Sequence, residues 1–113
     1  MSNLTITLHS MRDNLEGFRA MYKCKNYLMA GHRLGQMQSK FLHIDRMYLS
    51  SEAFELSEKL ADEISCLISA AYLYQDAVAT VAESEINLVI SRVHAAIKAL
   101  KDYLPASRAA SFN

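Results

Sequence analysis

The chain has 113 residues, 51% of them apolar, with one proline, three glycines and no tryptophan. That is enough for one hydrophobic core without disulfide or metal staples, too apolar for disorder, and too poor in turn residues for a many-stranded sandwich. Twelve basic and twelve acidic side chains cancel, so global charge recommends neither nucleic acid nor a membrane surface.

Leu4, Ile6 and Leu8 alternate with polar residues, which taken alone is a strand pattern. Leu4, Leu8, Met11, Leu15, Phe18, Tyr22 and Met29 also follow alternating four- and three-residue steps, with Lys25 the polar exception. The longer register outweighs a strand that has no partner. Ser10 and Asp13 offer a start, so a helix is expected over 11–30, with its extension back to Asn3 open. Gly17 inside it costs about 1 kcal/mol against alanine and implies close approach of a neighbouring helix. Gly31 reads as the left-handed residue that ends the helix, and 31–35 as the clearest loop.

Leu34, Met37, Phe41, Ile44 and Tyr48 repeat the seam and predict a second helix over 35–48. Ser50 or Ser51 can cap a third, with Glu52 and Glu55 at its positive end. From Ala53 to Leu104 there is neither glycine nor proline. Ala53, Ser57, Leu60, Ile64, Leu67, Ala71, Tyr74, Val78 and Val81 form one seam there, and Ile86, Ile90, Val93, Ile97, Leu100 and Leu104 a second. The two are out of phase, so the chain is expected to break between Thr80 and Glu85. Thr80 and Glu83 fit a capping box there, and Ser84 is another cap. This predicts helices at 52–80 and 84–104, with Pro105 as the stop. The fold class is therefore all-α: one domain over 1–113, an antiparallel up-down bundle of about four helices, the third and fourth long, with a loose tail over 105–113.

The third and fourth helices carry a second apolar line: Leu56, Ala70 and Ala77 on one, Val89, Ala96 and Tyr103 on the other. The short second helix leaves part of it uncovered. A symmetric homodimer is expected, with Leu56, Val89 and Tyr103 near the contact.

Charge is segregated. Residues 1–48 hold seven Lys/Arg and three acids, whereas 49–82 hold one lysine and six acids. Either the two halves complement each other or the basic face meets an acidic partner. Cys24 and Cys66 lack metal or redox spacing and read as free buried thiols of a reducing compartment. The amino terminus lacks a secretory pattern, and no uncharged apolar stretch reaches the roughly 18–20 residues of a span. A cytoplasmic location follows as the expectation.

His9, His32, His43 and His94 are scattered, and no nucleophile elbow or phosphate loop is present. Asp62-Glu63 and Glu83-Ser84-Glu85 place adjacent carboxylates in different directions around a helix. No catalytic residue, cofactor or metal ligand is expected. The most suggestive patch is Arg19, Lys23, Lys25 and Arg33, with Tyr22 and Tyr27 interleaved, a pattern able to hold phosphates and stack on bases. Arg19 and Lys23 share a helix face, while Lys25 lies well round from them. Met11, Met29, Met37 and Met47 suit either an adaptable partner surface or ordinary core filling.

The run Lys23-Cys24-Lys25-Asn26-Tyr27-Leu28, then Phe41, then Cys66-Leu67-Ile68-Ser69-Ala70 resembles the YliH/BssR family of small enterobacterial biofilm-formation regulators, over Phe18 to Leu104. The resemblance implies a cytoplasmic regulatory protein affecting biofilm formation and carries over no catalytic residues. Together these readings predict a non-enzymatic regulatory or adaptor protein acting through protein contacts, with an unidentified protein partner and no membrane. A nucleic-acid binder using the basic first half and a small-molecule-binding bundle are the alternatives.

Overall fold

The structure is a computed structural model and describes residues 3–44, 46, 49–73 and 79–112. Four helices run α1 Asn3–Lys23, α2 Tyr27–Leu42, α3 Ser51–Leu73 and α4 Ala79–Phe112. They form an antiparallel all-α bundle with principal extents of 53 × 19 × 18 Å. α1 pairs with α2 and α3 pairs with α4; α1 joins the two hairpins by packing on α4, while α2 meets α3 only narrowly.

The seams dictate this packing. Leu8, Met11, Leu15, Phe18 and Tyr22 of α1 are buried, as are Leu34, Met37 and Phe41 of α2. Ala53, Ser57, Leu60, Ile64 and Leu67 of α3 face Ile86, Ile90, Val93, Ile97 and Leu100 of α4 in the same core. α1 begins at Asn3, so the extension left open is helical and includes the alternating Leu4–Leu8 stretch. Tyr48, Tyr74, Ala77 and Val78 lie outside the described residues.

The first corner falls at 24–26 and not at the glycines. Lys25 takes the left-handed conformation, with φ 63°. Its amide donates to the Tyr22 carbonyl at 3.0 Å, and the Asn26 amide donates to that of Met21 at 2.9 Å. This is a Schellman stop built on lysine. Asn26 also starts the next helix, because its side chain accepts from the Met29 amide at 3.3 Å. One residue thus closes α1 and opens α2, and Gly31 and Gly35 fall inside α2, not in the expected loop.

At the start of α3 Ser50 is the cap: its hydroxyl accepts from Ala53 N–H and its carbonyl from Phe54 N–H. The expected break between Thr80 and Glu85 is displaced, since α4 already runs through those residues from Ala79. Ala79, a strong helix former, opens the helix one residue before the proposed cap Thr80. α4 also continues past Pro105 to Phe112, so 105–112 belong to a helix and not to the expected tail. Pro105 lacks the amide that would reach Lys101, but Ala106, Ala109 and Ala110 favour helix beyond it.

Charged pairs decorate the seams. Arg92 of α4 donates to Glu63 of α3 at 2.7 Å, His94 of α4 meets Glu16 of α1 at 2.5 Å, and Arg46 pairs with Glu58. Exposed pairs of this kind contribute about 0–1 kcal/mol each, so apolar burial sets the register. Both cysteines are free, as expected, but exposed: Cys24 sits at the first corner and Cys66 precedes the buried Leu67 on α3. Among the described residues no helix is long and apolar enough to cross a membrane.

Candidate functional site

Where α2 diverges from α3, the bundle leaves a cleft of about 700 Å³. Phe18 and Tyr22 from the end of α1 form its floor, Tyr27 to Gln38 of α2 one wall, and Ile68, Ala71 and Tyr72 of α3 the other. Its size falls within the roughly 300–1,000 Å³ of small-ligand pockets.

Aromatic rings set its shape. Tyr22 stands 5.5 Å from Phe18 and 5.2 Å from Tyr27, the latter edge-on. These separations favour the ring quadrupoles and hold Tyr22 in place. Tyr22 is only 9% exposed, and its hydroxyl is the one buried side-chain polar atom without a hydrogen-bond partner among the described residues. Burial, and to a lesser degree Tyr27, raises the phenol above its ordinary 10.0. It is therefore a protonated donor at neutral pH, and leaving such a donor unmatched costs about 1–3 kcal/mol.

Gly31 and Gly35 lie one turn apart on the α2 wall. A Cβ on either would meet nothing within 4 Å, whereas one on Gly17 would lie 3.1 Å from the Arg33 side chain. Gly17 thus has the packing reason expected of it. The other two weaken α2 by about 1 kcal/mol each with no neighbour to require it, and their effect is to keep the cleft wall bare. At the mouth Leu28 is 86% exposed and Tyr72 76%, with His32 also exposed.

The basic residues singled out in the sequence do not converge on this cleft. Arg33 reaches back over Gly17 and donates to the side-chain Oδ1 of Asn14 at 3.5 Å, and Arg19 lies 3.9 Å from Glu16 on its own helix. Lys23 and Lys25 flank the first corner, exposed and without an acidic partner among the described residues. Of the residues expected at a dimer contact, Val89 is buried by the chain's own helices, while Leu56 and Tyr103 are half-buried against the same core. The Tyr103 hydroxyl donates to Glu52 at 3.0 Å and lies 3.1 Å from the Ser50 hydroxyl, tying α4 to the start of α3. Among the described residues no three His, Cys, Asp or Glu side chains gather to hold a metal ion.

The cleft residues Leu28, Gly31, Gly35 and Tyr72 were missed in the sequence because Gly31 was read as a helix end. Asn26, three residues before Met29, was the signal that α2 begins earlier. Started there, the helix carries both glycines on one face. No protein-family model, no curated protein and no solved structure matches this chain.

Proposed function

We propose that this protein is a non-enzymatic regulatory adaptor that works by contact with another protein at the mouth of the aromatic cleft. The observation that carries this reading is the pair Leu28 and Tyr72, large apolar side chains 86% and 76% exposed on either side of one opening. Exposed apolar groups gathered at a concave site favour burial against a partner. The resemblance to biofilm-formation regulators, where it holds, implies that such a contact is made in the cytoplasm and serves that process.

Site-directed photo-cross-linking in the native cell tests the reading. A photoreactive side chain at Leu28 should give one discrete protein adduct, absent when the same group replaces the exposed Lys59 of α3 and lost on Tyr72→Asp. Equal labelling from Leu28 and Lys59 would overturn it. Nucleic-acid binding is the second reading, supported by Lys23 and Lys25 standing without acidic partners at the first corner. Retention on RNA or DNA that falls steeply with salt, and is lost on replacing both lysines, would put it first.

A further inference from the structure

We infer that Arg46 is an aromatic clasp at the joint between the two helical hairpins, and that its release swings the α1–α2 hairpin away from α3. The inference concerns the chain's own packing and stands apart from the protein contact proposed above.

The layout puts a joint at this point. α1 pairs with α2 and α3 with α4, so each hairpin moves as a unit. The units share the α1–α4 seam on one side, while on the other α2 meets α3 only narrowly among the described residues. The connection 43–50 joins the ends of α2 and α3, and from there the helices diverge toward Leu28 and Tyr72. Whatever fixes the connected end sets the angle between the hairpins.

Arg46 is placed to fix it. Its guanidinium carbon stands 5.3 Å from the centre of the Phe41 ring on α2 and 5.6 Å from that of Phe54 on α3. Both separations lie within the roughly 6 Å over which a ring face attracts a cation. The same guanidinium donates through Nη1 to Glu58 of α3. Its backbone is tied down as well: Ile44 N–H donates to the Phe41 carbonyl at 3.0 Å, and Leu49 N–H to that of Arg46 at 3.2 Å. One side chain thus holds both helices. The rings supply the hold more than the carboxylate does, because Glu58 is 51% exposed and ion pairs in water are weak. A planar, weakly hydrated guanidinium suits two ring faces where a compact ammonium does not.

The clasp acts as a pivot. α2 has 16 residues, a length of roughly 24 Å at 1.5 Å per residue, so a rotation of about 10° at Arg46 carries its far end through about 4 Å. Cys24 and Cys66 can report that motion. Both thiols are free and exposed, one at the far corner of the α1–α2 hairpin and the other on α3.

The test attaches nitroxide labels to these two native cysteines of the full chain and reads their separation by double electron–electron resonance. Arg46→Ala should lengthen the separation by about 4 Å while circular dichroism stays helical. Phe54→Leu, which keeps an apolar side chain at an exposed position, should do the same and carries the test if Arg46→Ala does not fold. Arg46→Lys, which keeps the charge beside Glu58 without the stack, should also lengthen it, and Glu58→Gln should leave it as in wild type. An unchanged separation in Phe54→Leu, wild-type behaviour of Arg46→Lys, or a shift in Glu58→Gln equal to that of Phe54→Leu would each overturn the inference.

Discussion

Lys25 sits at φ 63°, a backbone region in which an L side chain crowds its own carbonyl at a cost of about 1–2 kcal/mol. The Schellman bonds around it compensate, so Lys25→Gly should keep both and stabilise the chain by about 1 kcal/mol, read as a rise in the urea midpoint at unchanged slope. Tyr22 gives a pH signature. Its folded pKa lies above the unfolded value near 10.0, so the neutral form is favoured on folding. The associated stability is fully present below pH 10 and falls as pH rises above it. Wild type should therefore lose more stability than Tyr22→Phe between pH 9 and pH 11, measured by urea unfolding of the two proteins in parallel. An equal loss in both would remove the burial argument.

At the scale of the helix, periodicity was legible where it was long and illegible where a single residue did the work of a turn. Leu8 to Tyr22 and Ile86 to Leu100 were readable because each buried position repeats the same step. The corner at 24–26 was not, because lysine replaces the glycine that ordinarily marks it and the true glycines lie in a helix. The cleft was lost with it. Its walls come from three helices, and only the correct start of α2 places Gly31 and Gly35 opposite Tyr72. The same glycines yield a contrast. Gly31→Ala and Gly35→Ala should each stabilise by about 1 kcal/mol, since the added methyl enters open space. Gly17→Ala should be close to neutral, its helix gain offset by displacing Arg33 from 3.1 Å. Thermal melts of the three variants separate these cases.

For the whole molecule, part of the apolar surface of α4 is covered from within the chain: α1, which starts at Asn3, packs on α4. Val89, 8% exposed, and its neighbour Leu88, 55% exposed, discriminate between burial inside the chain and between chains. Val89→Glu should destabilise the fold by about 3 kcal/mol or more, because it buries an unpaired carboxylate. Leu88→Glu should leave the melting temperature within about 2 °C, as an exposed substitution does. If α3 and α4 still self-associate through their exposed apolar residues, sedimentation will show the dimer lost in Leu88→Glu. A final consequence follows from the way the helices pair. Each is matched chiefly with its neighbour in sequence, so most of the ordering entropy is spent on short loops. Assembly should accordingly be fast, on a timescale of microseconds to milliseconds. The α1–α2 and α3–α4 hairpins would form as local units, and the last event would be their closure along α1 and α4, the one extensive seam among the described residues that joins distant parts of the chain.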